Sequence, residues 1–270
     1  MLLVIKIEMI VNLERRFHGV SKLYGEDALN LFKESHVAVI GIGGVGSWVV
    51  ESLARSGIGT ITIVDLDHIS ESNINRQIHA MTSTIGKSKI TSMADRIAEI
   101  NPSCNVICKD DFISQDNINE ILTDKYSVII DCIDQIHAKL AISLFSKIND
   151  YPLFICGGAG GKTDFFSLKS GDISLATHDA LLSKLRSKIR KSFDFQYYLN
   201  KNKNKRKPKI GLCALWFAQP TIYPNICNAN FSGGLACAGY GSLVTCTASM
   251  GFAAANLALN NIVMNIKKSV

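Results

Sequence analysis

The sequence predicts an α/β fold: a Rossmann-like, doubly wound, mostly parallel sheet followed by a C-terminal β-rich and helical elaboration. Short apolar runs alternate with helix-periodic segments over roughly 120 residues, as βαβ units do. The first run ends on glycines, Gly41-Ile42-Gly43-Gly44-Val45-Gly46, and helical spacing follows at once. After Gly157 the alternation weakens, which marks the elaboration.

Residues 36–40 (HVAVI) form an apolar run of the kind buried on both faces of a parallel sheet. Residues 47–56 then place Val49, Val50, Leu53 and Ala54 on one side of a helix. The run 60–64 (TITIV) is a second strand, closed by Asp65. Helical periodicity returns over 84–100, with Ile90, Met93, Ala94 and Ile97 as its stripe and Asn101-Pro102 as its stop. A weaker strand at 105–109, a helix at 116–122, a strand at 127–131 (SVIID), a helix at 136–149 and a strand at 153–156 (LFIC) complete the series. Beyond it, 162–176 reads as β-rich, 179–191 as a basic helix, and 200–209 (NKNKNKRKPK) as a solvated loop. Residues 1–161 are thus the nucleotide-binding region and 162–270 the elaboration, within one integrated domain.

Composition narrows the class. The chain has 270 residues, is 47% hydrophobic and 19% charged, and has a net charge of +6, all ordinary for a soluble α/β protein. The charge is unevenly placed: residues 184–209 hold eleven Lys or Arg against the single Asp194, a local charge of +10. Eight cysteines stand at irregular spacings without a C-x-x-C pair, so a tetrathiolate zinc site has no support, and a reducing, cytoplasmic setting is expected. Residues 1–11 are apolar but interrupted by Lys6 and Glu8, unlike a secretory leader. Residues 231–266 carry no charge; their Gly, Ala, Ser, Thr and Asn content points to a buried or subunit-interface helix rather than a membrane span.

Glycines between a strand and a helix allow a tight turn, and the helix N-terminus offers free N–H groups to an anion. Gly41, Gly43, Gly44 and Gly46 therefore predict a phosphate cradle, with Asp65 placed for ribose hydroxyls. To this point NAD or FAD fits as well as ATP. The residues that follow favour ATP: Asp67, then Ser72, Asn73 and Arg76, then Lys89, and Asp134 beyond the strand at 127–131. A triphosphate needs cations such as Arg76 and Lys89, and a carboxylate such as Asp134 to hold its magnesium ion. Taken singly, Arg76 or Lys89 can be a solvated surface residue, and Asp134 can simply cap a helix.

These motifs, with Arg55-Ser56-Gly57-Ile58-Gly59, Asp65-x-Asp67, residues 72–77 and residues 131–134, resemble the ubiquitin-activating-enzyme-like family of adenylating proteins. The resemblance implies attack of a carboxylate on the α-phosphate of Mg-ATP, giving an acyl-adenylate. It also implies ribose binding by Asp65, phosphate contacts from Asn73, Arg76 and Lys89, and magnesium at Asp134. A homodimer is implied too, with Arg15 or Arg16 reaching the partner's nucleotide; Gly19 stands where a second arginine is usual.

Further segments are similar to the tRNA-modifying branch of that family: Arg16-Phe17 with Leu23-Tyr24-Gly25, Ser47-Trp48 after the glycine loop, residues 75–80, the glycines at 157–161, and residues 182–190. That branch adenylates the carboxylate of a threonylcarbamoyl group beside the tRNA anticodon and closes a ring with loss of water. The basic stretch then has a role on the anticodon arm, through Lys184, Arg186, Lys188, Arg190 and Lys191 and through Lys205, Arg206 and Lys207. A solvated basic surface is the alternative. Cys237 matches a cysteine of that branch and is either a thiol relay for the acyl group or a packing residue. Two other functions compete. An activator of a ubiquitin-like or sulfur-carrier protein shares the adenylation step, while a sulfur-relay protein is a candidate partner of the tRNA-modifying enzyme itself. An NAD(P)-linked oxidoreductase or sensing module would leave Arg76, Lys89 and Asp134 without a shared purpose.

Overall fold

A computed structural model describes residues 11–192, 209–223 and 240–266. Helices α1 (Leu13–Tyr24) and α2 (Glu26–Glu34) come first, and Asn12 Oδ1 caps α1 by accepting from Arg15 N at 2.8 Å. The nucleotide-binding region then runs β1 (His36–Ile40), α3 (Gly46–Arg55), β2 (Thr60–Val64), α4 (Lys89–Ile100) and β3 (Asn105–Lys109). It continues with α5 (Ile118–Ile121), β4 (Val128–Asp131), α6 (Ile136–Ile148) and β5 (Leu153–Cys156). The remainder supplies β6 (Leu168–Asp172), α7 (Ala180–Lys191), β7 (Cys213–Phe217) and α8 (Val244–Ile266).

The seven strands lie in the order β3-β2-β1-β4-β5-β7-β6, all parallel except β6, which runs antiparallel to β7. Side-chain alternation decides how the sheet is covered. Val37 and Val39 of β1, Ile61 and Ile63 of β2, and Val128 and Ile130 of β4 face one layer with α3, α4 and α8. Ala38, Ile40, Ile129 and Ile155 face the other, with α5, α6 and α7. Both faces are dry, which is why these strands read as unbroken apolar runs.

Three expectations needed correction. Helix α4 starts at Lys89, not at 84, because Gly86 takes φ +83° and the Lys89 N–H is held by Asp67 O at 3.1 Å. Residues 162–176 contain one strand only, β6, between single 3-10 turns at Phe165–Ser167 and Ile173–Leu175. Strand β7, an apolar run (CALWF) outside the strands predicted from sequence, inserts between β5 and β6. Within the uncharged tail, Val244–Ile266 form α8, packed on α3 and the sheet, and residues 231–239 lie outside the described residues; no helix among the described residues is long and apolar enough to cross a membrane.

Candidate active site

Strand order reverses between β1 and β4, where the helices leave to opposite faces and a crevice opens at the carboxyl ends. A cleft of about 780 Å³ occupies that place. Its centre is the glycine loop. Gly41 takes φ +88° with its carbonyl against Gly46; a Cβ on Gly46 would lie 1.8 Å from Gly41 O. Gly46 is therefore a packing residue set back from the cleft, whereas Gly41, Gly43 and Gly44 line it. The N–H groups of Gly43, Gly44 and Val45 have no backbone partner among the described residues and precede the first turn of α3, an arrangement suited to an anion.

On the β2 side, Asp65 Oδ2 accepts from Ile42 N at 2.6 Å and pins the loop, while Oδ1 accepts from Asp67 N at 2.9 Å. Lys89, buried at the start of α4, donates to Asp67 Oδ2 at 2.6 Å and lies 3.6 Å from Asp65 Oδ1. Asn73 Oδ1 accepts from Ser70 N, closing the 3-10 turn that carries Ser72 and presents Arg76. Arg76 donates to Ser72 O at 2.7 Å and Asn75 Oδ1 at 2.9 Å. Asp134 is exposed and makes no hydrogen bond or ion pair among the described residues; α6 is capped by Gln135, so Asp134 is not a capping residue. The structure thus gathers Asp65, Asp67, Ser72, Asn73, Arg76, Lys89 and Asp134 around one space.

The far side of the cleft was missed from sequence. There Lys162 is buried, and its Nζ donates to His178 O at 2.9 Å, Gln219 O at 2.5 Å and Thr221 Oγ1 at 3.3 Å. Burial pushes the Lys162 pKa down, against the pull of Asp179. Asp179 caps α7 through Leu182 N and also accepts from Gly158 N, each at 2.8 Å. The legible signals were the glycine cluster at 157–161 and an Asp before a basic helix; nothing marks Lys162 itself. The cleft therefore has two arms. One follows β2 and β3 to Asp65 and Phe112, and the other follows β5 and β7 to Lys162 and Tyr223.

Outside the cleft the basic residues divide. Lys184, Arg190 and Lys191 are exposed on α7 and Lys188 is half-buried. Arg186 instead donates to Ile173 O at 3.2 Å and Ala176 O at 2.9 Å, so part of its guanidinium serves the fold. Arg16 likewise donates to Glu99 O and Ile100 O at the end of α4, on the amino edge of the sheet, while Arg15 is exposed. Lys205, Arg206, Lys207 and Cys237 lie outside the described residues. In the cleft wall, Cys132 Sγ is 3.8 Å from Cys156 Sγ; this contact and burial push its thiol well above the usual range, which disfavours a nucleophile there.

The model of the ThiF family matches residues 16–268. The chain belongs to the ThiF family. Among ThiF relatives, the tRNA threonylcarbamoyladenosine dehydratase of Haemophilus influenzae is 41% identical over 255 residues, 94% of this chain and 95% of the relative. The solved Escherichia coli tRNA N6-threonylcarbamoyladenosine dehydratase in complex with ATP superposes with a TM-score of 0.84 at 36% identity, covering 95% of this chain and 97% of that one. Its complex with AMP gives the same TM-score and identity over 94% and 96%.

One buried group behind this ThiF site gives a pH prediction. His79 is 1% exposed with both ring nitrogens unpartnered. Burial, then the charges of Lys89 and Arg96, lower its pKa from 6.5 to about 4. Between those values the unfolded chain binds a proton that the folded chain refuses, so stability falls as pH drops below 6.5 and the loss is complete below about 4. At pH 4.5 that loss should amount to about 2–3 kcal/mol. Urea unfolding of wild type and His79→Phe at pH 7 and pH 4.5 checks this: the gap between them should move by that amount, and parallel profiles would contradict it.

Proposed function

We propose that this chain is an ATP-dependent adenylating enzyme that activates the carboxylate of N6-threonylcarbamoyladenosine in tRNA and closes it to the cyclic form. The observation that carries the reading is the match to dehydratases of that name along nearly the whole length of both chains. The two-armed cleft supports it, since one arm suits a nucleotide and the other leaves room for the acyl substrate.

In this reading the N–H groups of Gly43, Gly44 and Val45 receive phosphate oxygens, Asp65 holds the ribose, and Arg76, Lys89, Ser72 and Asn73 line the phosphates. Asp134 fits a magnesium ion: it is a free carboxylate at the cleft. A magnesium ion bound with ATP would take its other ligands from phosphate and water. Bound there, the ion would neutralise phosphate charge. The substrate carboxylate attacks the α-phosphorus; the bond to the β-phosphate oxygen breaks, and pyrophosphate leaves. A nucleophile within the same modification then attacks the acyl carbon. AMP departs with the former carboxylate oxygen, a proton is released, and the nucleoside has lost one water. Because both reacting groups sit on one molecule, proximity suffices without a thiol relay.

The exposed cations of α7 would follow the phosphates of the anticodon arm. A homodimer is part of the reading, with Phe252 and Met264 of α8 and Leu23 of α1 as exposed apolar side chains to cover and Arg15 free to reach the partner. A sulfur-relay protein is a further partner in this reading, and a cytoplasmic setting is consistent with a tRNA substrate.

The test is to incubate the chain with Mg-ATP and tRNA carrying the linear modification, then weigh the released nucleoside. Loss of one water is expected. ATP turnover without that mass change would remove this reading and favour an activator of a carrier-protein C-terminus.

A further inference from the structure

The substrate arm of the cleft ends in two tyrosines that neither nucleotide binding nor adenylation explains. Tyr223 follows β7 and Tyr240 precedes α8, and both line the cleft. Their rings meet edge to face at 5.3 Å, an arrangement that covers only one of the four ring faces. Tyr223 is 68% exposed, so its ring contributes little to the core.

The backbone beneath is built to hold the pair. Gly161 N donates to Gly241 O at 2.8 Å, and Ile222 N donates to Gly161 O at 2.9 Å, which brings both tyrosine-bearing segments to one residue. Gly161 takes φ +66°, and a Cβ there would lie 2.7 Å from Thr221 and 2.9 Å from Ile222 O, so only glycine allows this convergence. Lys162, next in sequence, binds Thr221 and fixes the same segment from below. His178 and Asp179 in the adjoining wall lead directly into α7, whose first exposed cation, Lys184, stands one turn in from the cleft.

Open aromatic faces at a cleft mouth next to a cationic helix match one ligand chemistry. RNA loops present unstacked bases that stack on aromatic side chains while their phosphates meet Lys and Arg. In the tRNA reading the nucleoside of ATP goes to the opposite arm, at Asp65 after β2, with β1, β4 and β5 between it and β7. We propose that Tyr223 and Tyr240 form the stacking platform for a nucleobase splayed from a single-stranded RNA loop, holding its appended carboxylate toward the glycine loop. The inference rests on the tRNA reading above and adds to it the residues that grip the base.

The experiment uses the full chain and an anticodon stem-loop RNA carrying the linear modification. Tyr223→Leu and Tyr240→Leu are each compared with the matching Phe variants. RNA affinity is read by fluorescence anisotropy, KM for RNA by pyrophosphate release, and ATP affinity by calorimetry. Loss of one stacked base weakens RNA binding by about 10-fold or more, so each Leu variant should show that rise in Kd and KM. Each Phe variant, which keeps the ring, should stay within about threefold, and ATP affinity should be unchanged. Leu variants that bind RNA like wild type overturn the platform, as does an equal loss in the Phe variants or a parallel fall in ATP affinity. The wild-type protein carries the separate control. If it removes no water from the RNA, the proposed function fails, whereas a working wild type with indifferent Leu variants sinks only the platform.

Discussion

Arg76→Ala is expected to lower kcat/KM for ATP-dependent turnover about 10³-fold, or roughly 4 kcal/mol of transition-state stabilisation. The size follows from how the side chain is held. Its stem lies across Gly44, where a Cβ would come within 3.2 Å of Arg76 Cδ, so the loop is flat beneath it. One guanidinium nitrogen is anchored by Ser72 O and Asn75 Oδ1, which in the proposed function leaves the other donors for phosphate in an orientation fixed beforehand. Trp48 Nε1 donates to the Arg76 carbonyl at 2.9 Å, so the backbone keeps its place after the side chain is removed. Stability should therefore change by only about 1 kcal/mol. Arg76→Lys should recover less than about tenfold, because a point ammonium cannot serve the anchor and the phosphate together. Pyrophosphate release at saturating and limiting ATP, alongside thermal melts, reads all three; an alanine variant keeping a tenth of the activity would refute the assignment.

That residue also illustrates what could be read in advance. Asp65 and Asp134 were legible because each closely follows a strand end, and strands buried on both faces announce themselves as apolar runs, whereas Arg76 and Lys89, in the connection after β2 and at the start of α4, were read from their order after Asp65. The β1, β2 and β3 runs match the observed strands, and β4 differs by a residue at its start. The far arm was not legible for a physical reason. Lys162, Gln219 and Thr221 meet only because β7 inserts beside β5 from some 57 positions later in the chain, a pairing that leaves no local periodicity. Helices α1 and α2 gave no assignment either, although they hold the amino edge of the sheet through Phe17, Leu29 and Phe32. Asp67 shows a subtler limit. Spacing put it beside Asp65 as a ligand for the nucleotide, and the fold uses it to hold Lys89 at 2.6 Å.

The largest stability effect should come from a residue with no signal in sequence, Lys139 of α6. It is fully buried, as is Asp131 at the end of β4, and the two meet at 3.0 Å. Lys139 also donates to Cys156 O at 2.8 Å, and Asp131 Oδ1 accepts from Ile133 N at 3.0 Å. Burial pushes the Asp131 pKa up and Lys139 draws it back down. Lys139→Met strands a carboxyl in a dry interior, which should cost about 3–5 kcal/mol, a large part of a typical domain's stability. Adding Asp131→Asn removes the second charge while keeping an acceptor for Ile133, and should recover at least about half of that loss. Urea unfolding of the two single variants and the double variant measures the coupling; strict additivity would mean that the pair is not what holds this place. The location explains why a charge is tolerated there. Asp131 ends the strand that launches Asp134, and Cys156 ends the strand that launches the glycines at 157–161, so one ammonium ties together the roots of both walls of the cleft.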